Sequence, residues 1–563
     1  MNTMEVMNQN LSNQIQITDM YWDRIYLHVK IEGTGIENYR YALVNRKSGC
    51  VYSVKPTGDK NEFVINITNV GNQEMLENGQ WHIAYFHSDG NGSLLLSDGT
   101  DDKTQEWADI PVSIETCYKM KKMDKVYRYS GDSYAYIVTF MTGKEEDNLI
   151  CKINCTFMMK DNSPEKRHFS AESSKMSKRW IKQVIYFLEK FINIIYQIVS
   201  HLTPKKGNRI LLMSETRSMG GNLQALDERL KVRGLDKSFR ISYCFSKTLE
   251  RSKIRILLIW LKLAFMTGRQ DFIFVDDYVP FFKYINVHPK TKLIQVWHAG
   301  VGFKSVGYAR FGEKGSPYPY ASSHRKYDYV IVGGEALRDV YAEVFGVDRE
   351  KCLPYGLMRM DGYLDQDKIN SFKEQFYQEY KHLKGKKIIL FAPTFRGSGQ
   401  RNAYYPFEIL EQDKIYEMCG TEYVFLIKMH PFVTEKIEIA PEYQERIIDF
   451  SAFPDINSLF YVTDILITDY SSNIYEFSVL NKPIIFFAYD KYEYELIRSV
   501  HRTLEKNAPG KVCQTLDEVV DAIENQDFEL EKLQKFVNEN VDNLEGNSCD
   551  KVIDNILLAG KPD

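Results

Sequence analysis

The spacing of hydrophobic residues changes character twice along the chain. Up to about residue 160 it alternates in short runs, as in Ile25-Tyr26-Leu27-His28-Val29 and the stretches 63–67, 81–86 and 134–138. Turn-forming sequences break these runs: Gly33-Thr34-Gly35, Thr57-Gly58-Asp59 and Asp89-Gly90-Asn91-Gly92. A period of two at this spacing, with no helical period, predicts a small β-sandwich over residues 1–160. The segment holds no catalytic constellation, which makes it a binding or spacer module.

Between residues 173 and 209 the period lengthens to that of a helix. Trp180, Val184, Phe187, Leu188, Phe191, Ile195 and Ile198 form a wide apolar face, flanked or opposed by Lys175, Lys178, Arg179, Lys182, Lys190, Lys205 and Lys206. A basic amphipathic helix with an interfacial Trp lies in a membrane surface or packs on the next domain with its charges in solvent; the pattern supports either. A second apolar helix at 253–269, with Ile256, Leu257, Ile259, Trp260, Leu263 and Phe265, adds some weight to the membrane reading. No stretch reaches the roughly 20 uninterrupted apolar residues of a spanning helix. Met1 to Gln14 lacks the apolar core of a signal peptide.

From residue 208 strand and helix alternate, the mark of a parallel sheet. Strands are expected at 209–213, 239–245, 272–275, 293–297 and 329–332. After a charged helical stretch at 370–386 they are expected again at 387–392, 423–428, 446–450, 465–468 and 483–487. The fold class is therefore α/β, with two doubly wound parallel sheets in a two-lobed arrangement. Residues 161–207 are the linker with the basic amphipathic helix, 208–369 the first Rossmann-like lobe and 370–563 the second. Gly220-Gly221, after the first of these strands, is not a full dinucleotide fingerprint, so a nicotinamide enzyme fits poorly.

Composition changes this picture little. At 563 residues the chain exceeds one core, and 44% hydrophobic with 26% charged residues is ordinary for a globular protein. A net charge of −4 argues against a nucleic-acid binder. The nine cysteines are dispersed, as reduced thiols in a cytoplasmic protein are; Cys151 and Cys155 fit same-face strand positions better than a zinc clip. The 37 tyrosines suit a carbohydrate or polyol enzyme.

In open α/β sheets ligands sit at the carboxyl ends of the strands, and the candidate chemistry collects there. Of eleven histidines, only His298, in Gln295-Val296-Trp297-His298-Ala299-Gly300, and His430, in Lys428-Met429-His430-Pro431, end a buried strand before a loop breaker. An imidazole with a pKa of about 6.5 can act as a general base at neutral pH. His324 and His501 fall in polar loops and rank lower. An apolar strand also runs into Thr468-Asp469-Tyr470-Ser471-Ser472. Ser471 or Ser472 would cap a helix whose free N–H groups hold a phosphate. The same residues alone make a plain capped turn; their place at the ligand edge favours the phosphate. Glu476, one turn on, is either an acceptor for ribose hydroxyls or a solvated helix carboxylate. Arg396, in Thr394-Phe395-Arg396-Gly397, is a bidentate diphosphate clamp or a surface loop arginine. Lys428 is a second cation or a snorkelling surface lysine. Arg359 and Asp361 stand where one lobe hands over to the other, as substrate contacts or as an interlobe ion pair.

At these residues the chain resembles the CDP-glycerol glycerophosphotransferase family of teichoic-acid enzymes, and within it the ribitol-phosphate primase/polymerase branch. The matching segments are Trp297-His298-Ala299 with Phe303-Lys304, Gly356 with Arg359 and Asp361, then 391–397, 428–431, 468–472, 482–486 and Pro509-Gly510. They cover about residues 208–555, and Tyr21-Trp22-Asp23-Arg24 is similar to the β-rich extension of ribitol-type members. The resemblance implies a glycosyltransferase-B-like fold, a CDP-ribitol or CDP-glycerol donor and a lipid-linked teichoic acid acceptor. It also implies a peripheral place on the cytoplasmic face of the bacterial membrane; nothing in the sequence resembles a dedicated metal cage, so no metal or cofactor is expected. By motif, it makes His298 the base that deprotonates the acceptor hydroxyl. His430, Arg396, Thr468, Ser471 and Ser472 hold the donor diphosphate, oriented by Asp469. Lys304, Lys428, Glu476 and Arg359 join them as substrate-binding residues. Met358, where many members have Pro, and Ser499, where many have Gly, depart from the pattern near the expected donor pocket and leave the alditol open. Two other readings stand beside this one: a nucleotide-sugar glycosyltransferase or epimerase of the same fold, and a non-catalytic membrane scaffold that binds a wall polymer.

Overall fold

The structure, a computed structural model, describes residues 15–55, 57, 61–87, 107–129, 134–159, 176–215, 219–245, 253–298, 303–313, 317, 322–397, 400–498 and 500–559. Met1 to Gln14, the turns at 58–59 and 89–92, Lys175, Ala299, Gly300 and Ser499 lie outside these residues. So do the side chains of Lys178, Arg179, Trp180, Lys182, Val184, Leu188, Ile256 and Leu257. The chain divides into two compact units.

The first unit comprises 1–179 with 307–325 and 345–348. Its strands are β1 (Gln16–Asp23), β2 (Tyr26–Glu32), β3 (Tyr39–Asn45), β4 (Cys50–Val54), β5 (Glu62–Asn66), β6 (Gly79–His87), β7 (Ala108–Asp109), β8 (Lys125–Tyr129), β9 (Tyr134–Glu145) and β10 (Asn148–Met159). One sheet has the order β1-β2-β5; the other runs β4-β3-β6-β10-β9-β8, with β7 on β6. Neighbouring strands are antiparallel, and their period-two pattern sends alternate residues inward. Leu27, Val29 and Ile31 of β2 thus share one core with Trp81, Tyr136, Val138, Cys151 and Cys155.

The hydrophobic pattern draws this module as one continuous stretch, whereas the unit also takes in two later segments. Tyr308 and Phe311 bury into its core, with Phe311 5.0 Å from the Tyr127 ring and 6.0 Å from Tyr136. Arg325 fastens the segment, lying 4.5 Å over the Tyr308 ring and donating to the carbonyls of Gln73 and Thr68. His324, expected in a polar loop, is instead buried beside Phe345, and burial pushes its pKa down to about 3.

The second unit comprises 180–306, 326–344 and 349–563 and carries two six-stranded parallel sheets. The first contains β11 (Arg209–Ser214), β12 (Arg240–Phe245), β13 (Phe272–Val275), β14 (Lys292–Gln295), β15 (Tyr329–Ile331) and β16 (Cys352–Leu353), in the order β12-β11-β13-β14-β15-β16. The other contains β17 (Lys387–Phe391), β18 (Tyr423–Ile427), β19 (Ile447–Asp449), β20 (Ile465–Thr468), β21 (Ile484–Phe487) and β22 (Lys511–Cys513), in the order β19-β18-β17-β20-β21-β22. All but β16 and β22 fall on the expected stretches; those two, Cys-Leu and Lys-Val-Cys, leave no apolar run in the sequence. Each order reverses once, at β11/β13 and at β17/β20, and a crevice opens at such a switch point.

The helix Met176–Leu202 divides its apolar residues between two faces. Ile192, Tyr196 and Val199 are buried, whereas Phe187, Phe191, Ile194, Ile198 and Leu202 are all at least half exposed. Val199 packs on Gly268, where an added Cβ would come within 3.0 Å of its Cγ1. No helix of the described residues is long and apolar enough to cross a membrane.

Phe311→Ala should lower the stability of the first unit by about 3–5 kcal/mol, the usual cost of emptying a phenylalanine site. Near-UV circular dichroism through a urea titration checks this, and an unmoved first transition would detach 307–325 from that core.

Candidate active site

His298 stands three residues beyond β14, at the carboxyl edge of the first sheet, on a strained turn. Trp297 has φ +46°, a left-handed conformation that costs a bulky residue about 1–3 kcal/mol. Hydrogen bonds hold it there. Asn222 Nδ2 donates to the carbonyls of Val296 at 2.8 Å and Trp297 at 2.7 Å, and the Trp297 N–H donates to Gln295 Oε1 at 2.8 Å. The imidazole is exposed, with Nδ1 2.8 Å from the carbonyl oxygen of Asp276. A carbonyl only accepts, so Nδ1 carries the proton and Nε2 of the neutral ring presents its lone pair.

Arg359 ties this turn to the second sheet. Its Nη1 donates to the His298 carbonyl at 2.6 Å, and its Nη2 pairs with Glu476 Oε1. Glu476 lies on the short helix Ile474–Ser478 and is fully buried. It is therefore neither a solvated carboxylate nor open to a ribose, because a carboxylate so buried keeps its charge only beside its cation. Asp361 makes no pair with Arg359; it accepts from the backbone N–H groups of Ser548 and Cys549 at 3.0 Å each. Met358, expected near the donor pocket, is buried in the core of the first sheet.

At the edge of the second sheet the charged residues are turned inward. Asp469, next after β20, accepts from the N–H groups of Thr394 at 2.8 Å and Tyr470 at 2.7 Å, and from Arg396 Nη1 at 2.8 Å. Arg396 also donates to the Thr394 carbonyl at 2.7 Å and engages Asp490 with two bonds of 2.5 and 2.7 Å. Its guanidinium lies 4.8 Å over Tyr494 and 5.1 Å over Tyr489. Burial alone would lower its pKa, but Asp469 and Asp490 outweigh that and raise it. At 6% exposure it is no surface arginine, and its bidentate face is spent on Asp490. Lys428 is likewise buried rather than snorkelling, with its ammonium 2.8 Å from the Ser451 carbonyl. Burial lowers its pKa against the pull of Asp449 and Asp455. Thr468 Oγ1 donates to the Ala392 carbonyl at 2.8 Å. Neither serine caps the following helix: Asn473 is its N-cap, without a side-chain bond, and Ser471 Oγ accepts the Asn473 N–H at 3.3 Å. Ser471 and Ser472 stay partly exposed.

His430 lies between Phe395 at 4.8 Å and Phe432 at 4.6 Å. Its Nδ1 accepts the Phe432 N–H at 3.2 Å, so in the neutral ring Nε2 carries the proton. Burial first, then the charges of Lys304 and Lys428, push its pKa down to about 4. Phe303 and Lys304 are held at the second sheet. There Lys304 bridges to Val500, Phe303 packs 5.8 Å from Phe486, and the His501 N–H donates to the Phe303 carbonyl at 2.7 Å. His501 does lie in a loop, but its side chain is buried, 3.4 Å from Glu343. Lys304, six residues after His298, thus stands in the field of His430. Arg498 also borders it, 5.4 Å over the Phe395 ring and bonded to the Gly397 carbonyl.

Sequence reasoning missed Asn222, Asp276 and Asp490. Asp276 directly follows β13 and Asp490 lies just beyond β21, the same signal that picks out His298. Asn222 follows Gly220-Gly221, which was weighed only as a dinucleotide fingerprint. Among the described residues one group has metal-ligand spacing: His82, Asp109 and Glu145, in the first unit. Asp109 there is already shared between His82 at 2.6 Å and Arg46 at 2.5 Å.

Two parallel sheets whose edges carry a proton acceptor, a proton donor and a hydroxyl-bearing turn define a group-transfer enzyme of the α/β class. Residues 194–558 match the model of the CDP-Glycerol:Poly(glycerophosphate) glycerophosphotransferase family, and the chain belongs to that family. It is 36% identical over 423 residues to the teichoic acid poly(ribitol-phosphate) polymerase of Bacillus spizizenii W23, covering 75% of this chain and 66% of that protein. It is 29% identical to the teichoic acid ribitol-phosphate polymerase TarL of Staphylococcus aureus NCTC 8325, over 97% of this chain and all of that one. Among solved structures, the wall teichoic acid polymerase TagF shares the fold with a TM-score of 0.52 at 18% identity, over 69% of this chain and 99% of that chain.

Arg359→Ala leaves Glu476 buried without a cation and should cost about 3–5 kcal/mol, whereas Arg359→Met with Glu476→Leu should recover most of it. Urea denaturation of the three proteins decides; equal losses in the single and double variants would show that the pairing is not what matters.

Proposed function

We propose that the protein transfers a polyol phosphate, ribitol phosphate before glycerol phosphate, from a CDP-alditol to a lipid-linked polyol-phosphate acceptor, releasing CMP, in teichoic acid synthesis. The observation that carries the reading is the opposite polarity of the two histidines: His298 offers a lone pair and His430 an N–H. The preference for ribitol rests on the ribitol-phosphate polymerases at 36% and 29% identity.

In this mechanism the acceptor hydroxyl gives its proton to His298 Nε2 as its oxygen attacks the alditol-bearing phosphorus. The bond from that phosphorus to the CMP oxygen breaks, and CMP leaves. His430 Nε2–H, Lys304 and the hydroxyls of Ser471 and Ser472 meet the phosphate oxygens. Arg396, Asp469, Thr468, Lys428, Arg359 and Glu476 hold these groups in place. A transfer of this kind depends on positioning and charge neutralisation rather than on a covalent intermediate.

The two parallel sheets act as two lobes of a glycosyltransferase-B-like fold, acceptor on the first and donor on the second, in keeping with the likeness to TagF. Attachment to the cytoplasmic membrane face is supported by the exposed stripe Phe187, Phe191, Ile194, Ile198 and Leu202, beside exposed Lys190. Leu258 and Phe265 of the helix Lys253–Gly268, with exposed Lys262 and Arg269, add to it. An apolar stripe with basic residues suits an anionic interface.

Side-by-side assays with CDP-ribitol and CDP-glycerol on a primed lipid acceptor, following CMP and product length, test the reading. His298→Ala should lower kcat by about 10²–10⁴-fold, the usual share of a general base, with the donor KM kept. His430→Ala should raise the donor KM. Full turnover in both variants, or release of UDP from a UDP-sugar instead, would sink the assignment. Because the depressed pKa keeps His430 neutral until pH falls towards about 4, the charge behind its N–H contact does not change as pH drops from 7 to about 5. The donor KM should stay flat over that window, and a steep fall there, as a charged ring gripped the diphosphate more tightly, would contradict a neutral donor.

A further inference from the structure

We infer that Asp276 is a positioning residue for the base: its backbone carbonyl fixes which nitrogen of His298 is free, and its buried carboxylate stabilises the imidazolium formed when that nitrogen takes a proton. The inference rests on His298 being the base.

Asp276 follows β13 directly, at the switch point beside β11. Its backbone oxygen is the acceptor for His298 Nδ1–H, a contact any residue here can supply. The side chain adds something else. It is 7% exposed, and the hydroxyl of Ser214, the last residue of β11, donates to it. Its Oδ1 has no partner among the described residues. A buried carboxylate oxygen without a partner costs stability and calls for a reason. Burial raises the pKa of this carboxyl, and the Ser214 bond and the charge of His298 oppose the rise, so the carboxylate and the imidazole lie within each other's field.

The other charges around the imidazole do not serve Asp276. Asp277 is a second carboxylate, and its Oδ1 is taken by the Tyr278 N–H at 2.7 Å. Arg359, at the His298 carbonyl, is neutralised by Glu476. Glu215, beyond the end of β11, is again negative, and Lys304 lies with His430 at the other sheet. The cation that suits this carboxylate is therefore transient: the proton that His298 receives from the acceptor hydroxyl places a positive charge on the ring. Stabilising it lowers the barrier to proton removal without a contact to either substrate.

Asp276→Asn tests this, since it keeps the shape, the Ser214 bond and the backbone carbonyl and removes only the charge. With donor and primed acceptor, kcat should fall roughly tenfold or more, within what a general base supplies. The acidic limb of the kcat/KM profile should move to lower pH by about one unit, with the donor KM unchanged. In full-length protein with ¹⁵N-labelled histidine, the His298 signals, identified by their loss in His298→Gln, should titrate at lower pH in Asp276→Asn while keeping the Nδ1–H tautomer. A variant that matches the unsubstituted protein in kcat and in its acidic limb overturns the inference. So does a loss of activity with the His298 titration unmoved, which marks a structural role alone. Should the unsubstituted protein release no CMP from either donor, the functional reading fails by itself, and the titration still decides whether Asp276 acts on His298.

Discussion

One guanidinium holds the candidate active region together. Arg359 grips the carbonyl of His298 with one nitrogen and the carboxylate of Glu476 with another, and Glu476 lies four residues after Ser472. The strained turn at the edge of the first sheet and the serine turn at the edge of the second are thereby set against each other through a single side chain. The pair is not built for stability: Arg359 Nε and Glu476 Oε2 have no partners among the described residues, and a buried ion pair with unsatisfied atoms repays little of its desolvation. Its value is geometric. An apolar pair would fill the same space, but it would grip neither the His298 carbonyl nor the helix behind the serines.

The same division of labour recurs at the second edge. Arg396, Asp469 and Asp490 form a closed network under Tyr489 and Tyr494, and Lys428 is anchored on Ser451. These charges are committed to one another and fix the backbone. Left partly open are two serine hydroxyls and a histidine N–H, beside the cations Lys304 and Arg498. Hydroxyls and a neutral N–H adapt to a diphosphate at small desolvation cost. The buried charges beneath them remove the motion that would otherwise have to be frozen when substrate binds.

Much of this was legible along the chain, for a local reason. Buried parallel strands leave short apolar runs, and ligand chemistry gathers where those runs end, so ten strands and both histidines fall where the pattern puts them. Partnership is not local. Asp490 lies 94 residues from Arg396, and Glu476 lies 117 from Arg359, and nothing in either neighbourhood announces the pairing. Arg396 and Lys428 therefore read as free cations and Glu476 as a free carboxylate. The segment that carries Tyr308 and Phe311 looks like part of the sheet region around it, because its buried face meets a core formed more than 150 residues earlier. The helix Met176–Leu202 shows a wide apolar face in sequence, and only packing separates the part that seats on Gly268 from the part that does not.

The roles of the two histidines come from backbone rather than from side chains. His298 is made a lone-pair donor by a carbonyl at the end of β13, and His430 an N–H donor by the amide of Phe432. Neither partner can change its own polarity, so each ring's neutral tautomer is set by where the strand ends. The environments agree with that division. His298 is exposed, and a proton it accepts can pass to solvent. His430 is packed between two phenylalanines in the field of two lysines, which disfavours a charge on the ring and keeps its N–H a neutral donor. A ring with its pKa near 4 is a poor base at neutral pH, and a ring whose Nδ1 is tied to a carbonyl turns no second N–H outward until it is charged. The two residues are therefore not interchangeable, although each is a histidine at the end of a parallel strand.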